Sequence, residues 1–238
     1  MALPRINSAP KYEMTVPSTG QKIMYRPFLV KEEKVLMMAM ETGDDAGGIR
    51  AIVDTITSCV QEDFDVKPLK SYDIEYLFLQ IRAKSVGEKS TITIACKKCE
   101  HQNPHTIDLE AMKVSGIDHG DEDIELTPEI TVTMKFPEYQ DLLLSGINKE
   151  ELSQIETIFK LIGKCIDGVK TPDEYFSMKD ESEQEIKEFL ESLNTEQFGK
   201  IRTFVEGMPK LKHDAIFDCE ECGEHNEQEL SGIQSFFS

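Results

Sequence analysis

Two C-x-x-C pairs, Cys96-Lys97-Lys98-Cys99 and Cys219-Glu220-Glu221-Cys222, stand half the chain's length apart. Each follows an apolar approach of strand character, Ile92-Thr93-Ile94-Ala95 and Ala215-Ile216-Phe217-Asp218, and each leads through a short polar turn into another extended stretch. The two halves match in detail: an Asn falls four residues after the second Cys (Asn103, Asn226), and a His lies nearby (His101, His225). A C-x-x-C turn presents two thiolates with backbone amides facing the sulfurs, and zinc binds four thiolates tetrahedrally. Cys96, Cys99, Cys219 and Cys222 are therefore expected to form one closed structural zinc site, with no coordination position left open for chemistry. Such a site pins the end of the chain to its middle, so the ribbon must be split by an inserted region.

The other thiol chemistries fit less well. A redox C-x-x-C sits at a helix N-terminus after a βαβ pattern, where the thiolate pKa is lowered, whereas both pairs here lie in strand hairpins. His101, His105 and His225 offer nitrogen ligands, but four cysteines already complete the shell, and these histidines read as surface residues. Cys59 and Cys165 lie on apolar helical faces and read as buried hydrophobes. Six cysteines in this pattern suit a reducing compartment and a metal, not a disulfide framework.

With 45 acidic and 26 basic side chains, the formal net charge is −19. Phosphate recognition depends on clustered Lys and Arg, so neither nucleic acid nor an anionic membrane is an expected partner. The acidity serves either solubility or a docking surface. Met1-Ala2-Leu3-Pro4-Arg5 lacks the apolar core of a signal peptide, and no apolar run reaches membrane-spanning length, so synthesis in the cytoplasm is expected. A chain of 238 residues with 39% hydrophobic content can build one large domain or two small ones.

Periodicity organises the rest. Tyr12, Met14 and Val16 alternate before the turn Pro17-Ser18-Thr19-Gly20, and Lys22 to Phe28 returns, which predicts a hairpin behind a Pro-punctuated arm. That strand serves the protein's own sheet or a neighbour's. Helices are predicted over Val30 to Met40, over the stripe Ile49, Ile52, Val53, Ile56, Cys59 and Val60, and over Tyr72 to Ser85 with Ser71 as cap. The Met37, Met38, Met40 cluster reads as adaptable core. After the first knuckle come an acidic loop (118 to 125) and a strand over Ile130 to Phe136. Helices then follow over Glu138 to Leu144, Lys149 to Ile166, Ser182 to Leu193 and Thr195 to Gly207, with Thr195 as a cap. Phe236-Phe237 either tucks onto the domain or binds a partner. The expected fold is α+β, predominantly helical, with an N-terminal β-hairpin and a split zinc-ribbon-like β unit. Residues 1–88 hold the arm, hairpin and helices, 89–137 and 209–238 the β unit, and 138–208 an inserted helical region.

No catalytic constellation is legible: the sequence has no G-x-x-x-x-G-K-[ST], G-x-S-x-G or H-E-x-x-H. The glycine cluster from Gly43 to Gly48 carries Asp44 and Asp45, which repel phosphate. Glu181, Glu183, Glu185 and Glu188 fall on predicted solvent faces. The expectation is a binding or assembly protein, not an enzyme.

The segment Tyr25-Arg26-Pro27-Phe28-Leu29-Val30-Lys31-Glu32-Glu33-Lys34-Val35-Leu36-Met37-Met38-Ala39 resembles the baseplate hub protein family of T-even-type (myovirus) bacteriophages. So does the later block from Asp73-Ile74-Glu75-Tyr76-Leu77-Phe78 to Gly87-Glu88, followed by the first knuckle. The resemblance implies a late structural or assembly protein at or near the hub of a contractile tail. It also implies other tail and hub proteins as partners, a place in the virion baseplate, and no catalytic residues. Two roles stay open within it: a subunit retained in the finished tail, or an assembly chaperone that leaves. A zinc-ribbon regulator of host transcription lies outside it, and the missing basic stripe counts against that role. Arg26 either binds a partner carboxylate or pairs inside the fold.

Overall fold

Strand β1 (Tyr12–Thr15) pairs antiparallel with β2 (Lys22–Tyr25), so the described part of the N-terminal arm belongs to the protein's own sheet. Its alternation does the expected work: Met14 and Val16 are buried on one face. The computed structural model describes residues 9–41, 45–61, 64–116, 120–140 and 154–232. Residues 1–8, the larger part of the 138–144 helix and the Phe236-Phe237 tail lie outside them. Two compact units divide the chain, one of residues 1–66, 72–115 and 210–238, the other of residues 67–71 and 116–209.

In the first unit the hairpin leads into α1 (Val30–Glu41) and α2 (Asp45–Cys59), and then α3 (Ser71–Ser85). Arg26 joins hairpin to helices. Its guanidinium donates to Glu32 at 2.9 Å and to the carbonyls of Pro27 and Ser58, both at 2.9 Å, and its backbone amide donates to the Cys59 carbonyl at 3.0 Å. Glu32 in turn accepts from the Leu29 amide at 2.9 Å, satisfying a donor at the start of α1. Arg26 therefore pairs inside the fold. Turning Glu32 inward together with Leu36, one helical turn on, fixes which face of α1 is buried. Met37 and Met38 then point outward, 59% and 55% exposed, which corrects the expectation that they belong to the core. Cys59 and Cys165 are fully buried, as expected.

Helix α3 is buried over most of its circumference: Ile74, Leu77, Phe78, Leu79 and Ile81 are all nearly inaccessible, and so are the polar Asp73 and Gln80. Ser71 is its first residue. Against this helix lies the split ribbon. Strands β3 (Lys89–Ala95) and β4 (Gln102–Asp108) form one antiparallel pair; β5 (Val114–Ser115) follows as the edge of a three-stranded sheet. The strands β10 (Lys210–Asp218) and β11 (His225–Ser231) complete that sheet in the order β11-β10-β5. Alternate residues of the ribbon, Ile92, Ile94, Ile107, Leu211 and Ala215, pack with Leu79 and Ala83 of α3 into one apolar cluster.

Among the described residues, the second unit holds a four-stranded antiparallel sheet in the order β6-β7-β8-β9 and three long helices. Its strands are β6 (Glu122–Thr127), β7 (Ile130–Met134), β8 (Ile166–Lys170) and β9 (Tyr175–Ser177). The helices are α4 (Gln154–Cys165), α5 (Glu183–Ser192) and α6 (Thr195–Glu206). Two expectations are corrected here. The second half of the expected acidic loop, residues 122–125, belongs to β6, because Leu126 turns inward while Asp123 faces out to Lys170 at 2.6 Å. The helix expected over Lys149 to Ile166 ends at Cys165, and the stretch after it, for which no strand was expected, is the β8-β9 hairpin. Gly168 is there because a Cβ at that position would lie 2.4 Å from the Tyr175 ring crossing it. Capping boxes start α5 at Ser182 and α6 at Asn194, one residue before the expected cap Thr195. The mixed α+β class with its N-terminal hairpin is as the sequence implies.

Candidate metal centre

The turns that close β3-β4 and β10-β11 are built alike. In the first, the Cys96 amide donates to the His101 carbonyl at 2.9 Å and the Glu100 amide to the Cys96 carbonyl at 3.0 Å. In the second, the Cys219 amide donates to Glu224 and the Gly223 amide to Cys219, both at 2.9 Å. The residue after the second Cys adopts the left-handed conformation in both: Glu100 at φ 60° and Gly223 at φ 69°. This tight return brings each pair of sulfurs to one side of its turn.

All four sulfurs meet. The Sγ atoms of Cys96, Cys99, Cys219 and Cys222 lie within 4.8 Å of one another, with Cys96 to Cys222 at 3.7 Å and Cys99 to Cys219 at 3.6 Å. Cys96 and Cys219 are buried, whereas Cys99 and Cys222 are exposed, so the pairing runs from the inner sulfur of each turn to the outer sulfur of the other. No disulfide joins them.

Asn103 and Asn226 lock the two turns together by reaching across. The Asn103 carboxamide oxygen accepts from the Glu220 amide of the opposite turn at 2.9 Å, and the Asn226 oxygen accepts from the Lys97 amide at 2.9 Å. Each amide nitrogen then ties back to its own turn, Asn103 to the His101 carbonyl and Asn226 to the Glu224 carbonyl, both at 2.8 Å. Each also points at an inner sulfur of the other turn, Asn103 at Cys219 (3.7 Å) and Asn226 at Cys96 (3.5 Å). The matched offset of the two Asn residues from their cysteines was visible in the sequence, but the exchange of partners was not. Lys98 pairs with Glu224 at 2.8 Å, and Gln228 donates to the Ala95 carbonyl at 2.8 Å, adding further ties between the halves.

The electrostatics suit a cation among the sulfurs. Backbone amides of Cys99 and Lys98, with the Asn226 side chain, pull the Cys96 thiol down to about 6, and amides of Cys222 and Glu221 lower Cys219. At Cys99 the His101 amide also pulls down, but the adjoining thiols and desolvation win and push it up to about 12; Cys222 is raised as well. Four bare thiolates cannot ionise side by side, and a bound metal ion supplies the positive charge that lets them.

The histidines stay outside this cluster. His101 contributes its backbone carbonyl, and His225 pairs with Asp218 at 2.7 Å on the surface. His105 meets His213 Nε2 to Nε2 at 3.0 Å, a tie between β4 and β10 that the sequence did not suggest. In the second unit, a cavity of about 650 Å³ lies between α4 and α5, with Phe159, Ile186 and Leu190 on its floor and interspersed Lys and Glu around it. Among the described residues its lining holds Lys and Glu but no Ser, Cys or His. No helix among the described residues is long and apolar enough to cross a membrane.

Neither the curated proteins nor the solved structures contain a match to this chain. A family model does match, over residues 9–238, and its description is T4 bacteriophage base plate protein. A match of that extent takes in both cysteine turns, the hairpin and the helices of both units. The chain therefore belongs to the T4 bacteriophage base plate protein family, which implies a place in the virion baseplate and contacts with other baseplate proteins.

Proposed function

We propose that the protein is a structural component of the baseplate hub of a contractile phage tail, working by docking to other hub proteins and not by turnover. Cys96, Cys99, Cys219 and Cys222 hold one structural zinc ion. The observation that carries this reading is the four-sulfur cluster that closes a split ribbon, in a chain matched by the baseplate family almost end to end. A tetrahedron with Zn–S bonds of about 2.3 Å has edges of about 3.8 Å, close to the 3.6 and 3.7 Å separations of the facing sulfurs. All-thiolate donors favour zinc over the hard cations, and the amide bonds to the sulfurs supply the outer support such sites use.

The bound ion contributes folding free energy, because the unfolded chain has no preformed site. It holds together two β hairpins that are remote in sequence, and so gives a hub subunit a rigid unit without an oxidising compartment. A net charge of −19 suppresses premature self-association and steers basic partner surfaces toward the chain. Mass spectrometry of purified mature particles, with elemental analysis of the isolated protein, tests the proposal. The expected result is the protein in the particle and one zinc per chain. Its presence only in assembly intermediates would instead make it a chaperone that leaves, and zinc-free protein purified without chelator would refute the metal assignment.

A further inference from the structure

The two halves of the split ribbon meet at a pair of imidazoles. His105 on β4 and His213 on β10 face each other Nε2 to Nε2 at 3.0 Å, with ring centroids 5.3 Å apart, and the Phe217 ring lies 6.2 Å from His105. Strand alternation puts both rings on inner faces: His105 falls between the buried Asn103 and Ile107, and His213 between the buried Leu211 and Ala215. Strands β4 and β10 belong to different sheets, so no ladder of backbone bonds joins them. The pair is therefore a side-chain bridge between the hairpins, set between the Asn103 brace and the apolar floor.

Such a bridge counts protons. A close approach of two Nε2 atoms needs one ring to donate and the other to accept. One further proton can enter on Nδ1 of the donating ring, which leaves the shared bond in place and makes it charge-assisted. The next must go to the accepting Nε2. It replaces the bond by two N–H groups pointing at each other on two cationic rings.

Among the described residues, nothing on the inner faces offsets that charge. Strand β3 presents Ser90, Ile92 and Ile94, β11 presents Asn226, Gln228 and Leu230, and β5 adds Val114. Helix α3 presents Leu79, Ala83 and Tyr76, whose phenol is kept neutral by burial. Lys212 and Asp214, on either side of His213, turn to the outer face, where Lys212 meets Glu229 at 3.3 Å. Burial and the neighbouring His213 hold the His105 imidazole below its usual range. The unfolded chain therefore takes up that proton first, so the stabilisation is present above about pH 6.5 and lost as pH falls through the lower folded value.

We propose that His105 and His213 form a proton-operated latch between the two halves of the ribbon, shut while the pair holds at most one added proton and opened by the second in mild acid. Opening loosens β10 from β4, while Asn103 and Asn226 still tie the turns.

Amide hydrogen exchange of the full chain in excess zinc, compared at about pH 7.5 and about pH 5.5, tests this, with zinc content measured in the same samples. After correction for the intrinsic pH dependence of exchange, protection in β4 and β10 should fall about tenfold in acid. His213→Gln and His105→Gln, which cannot charge, should each abolish that fall. Imidazole nitrogen NMR of the unmodified chain reports the pair without any variant, so a Gln variant that does not fold leaves the test intact. The pair should titrate in two separate steps, the more acidic one coinciding with the loss of protection. A single shared step, protection unchanged in acid, the same acid loss in the Gln variants, or loss only where zinc leaves as well would overturn the proposal.

Discussion

Replacing Asn103 by Ala removes a brace that acts on the opposite turn, and the cost can be worked from its bonds. Asn103 is almost fully buried. Its oxygen holds the Glu220 amide at 2.9 Å and its nitrogen holds the His101 carbonyl at 2.8 Å. Each such bond contributes about 1 kcal/mol net, and a partner left unsatisfied in a buried place costs about 1–3 kcal/mol. Asn103→Ala should therefore destabilise the protein by about 2–3 kcal/mol, which in a chain of this size lowers the melting temperature by roughly 4–12 °C. Asn226→Ala should cost a similar amount, because its oxygen and nitrogen make the mirrored bonds to Lys97 and Glu224. Asn103→Asp should be no better than Ala. It keeps an acceptor for the Glu220 amide but sets a carboxylate against the His101 carbonyl and the Cys219 sulfur. Thermal melts followed by circular dichroism at fixed free zinc, with a parallel chelator competition, measure both consequences. If Asn103→Ala melts within 1 °C of the wild type, or if Asp is tolerated, the cross-turn brace is not what holds the knuckles together.

Cys219→Ser should release the metal and lower the melting temperature, whereas Cys59→Ser, at a buried thiol beside Arg26, should keep the metal; elemental analysis of each variant checks this. Glu100→Gly should stabilise by about 0.5 kcal/mol, because a left-handed residue with a side chain becomes one without, and Gly223→Ala should cost about 1 kcal/mol; denaturant midpoints measure both. The space around Gly223 is open, so that cost is conformational alone. Arg26→Ala should destabilise by about 2–3 kcal/mol by removing the guanidinium from the buried Glu32, which keeps only the Leu29 amide and the exposed Lys31, and Arg26→Lys should rescue only part, since one ammonium cannot serve Glu32 and two carbonyls together. Burial pushes the Glu32 carboxyl up, but Arg26, the Leu29 amide and Lys31 outweigh it and hold it below the usual carboxylate range. The unfolded chain therefore takes up that proton first, and the stabilisation is present above about pH 4.5 and lost as pH falls through the lower folded value. Urea midpoints across pH 3 to 6 should show a shallower acid slope in Arg26→Ala than in wild type.

How much was legible follows from what each residue needs to reveal itself. A C-x-x-C pair carries its chemistry locally, because the turn aims both sulfurs whatever surrounds it; two such turns with matched flanks therefore announced a single four-sulfur cluster before any contact was known. The strong 3.6-residue stripes of α2, α3 and α6 and the alternation in β1, β3 and β7 were equally self-contained. The weaker signals failed where tertiary context chose between periods. Residues 118 to 125 read as an acidic loop until β7 and Lys170 give the outward acids of its second half a partner, and nothing local to Gly168 says that it sits in a strand until Tyr175 crosses it. Met37 and Met38 look like core by composition alone. Only the folded arrangement, in which Arg26 draws Glu32 inward and so rotates α1, decides that they face out. The exchange of Asn103 and Asn226 between the turns belongs to the same class. Nothing local to either knuckle says that its Asn serves the other, because the donor and acceptor become neighbours only once α3 has given the two hairpins a common apolar floor.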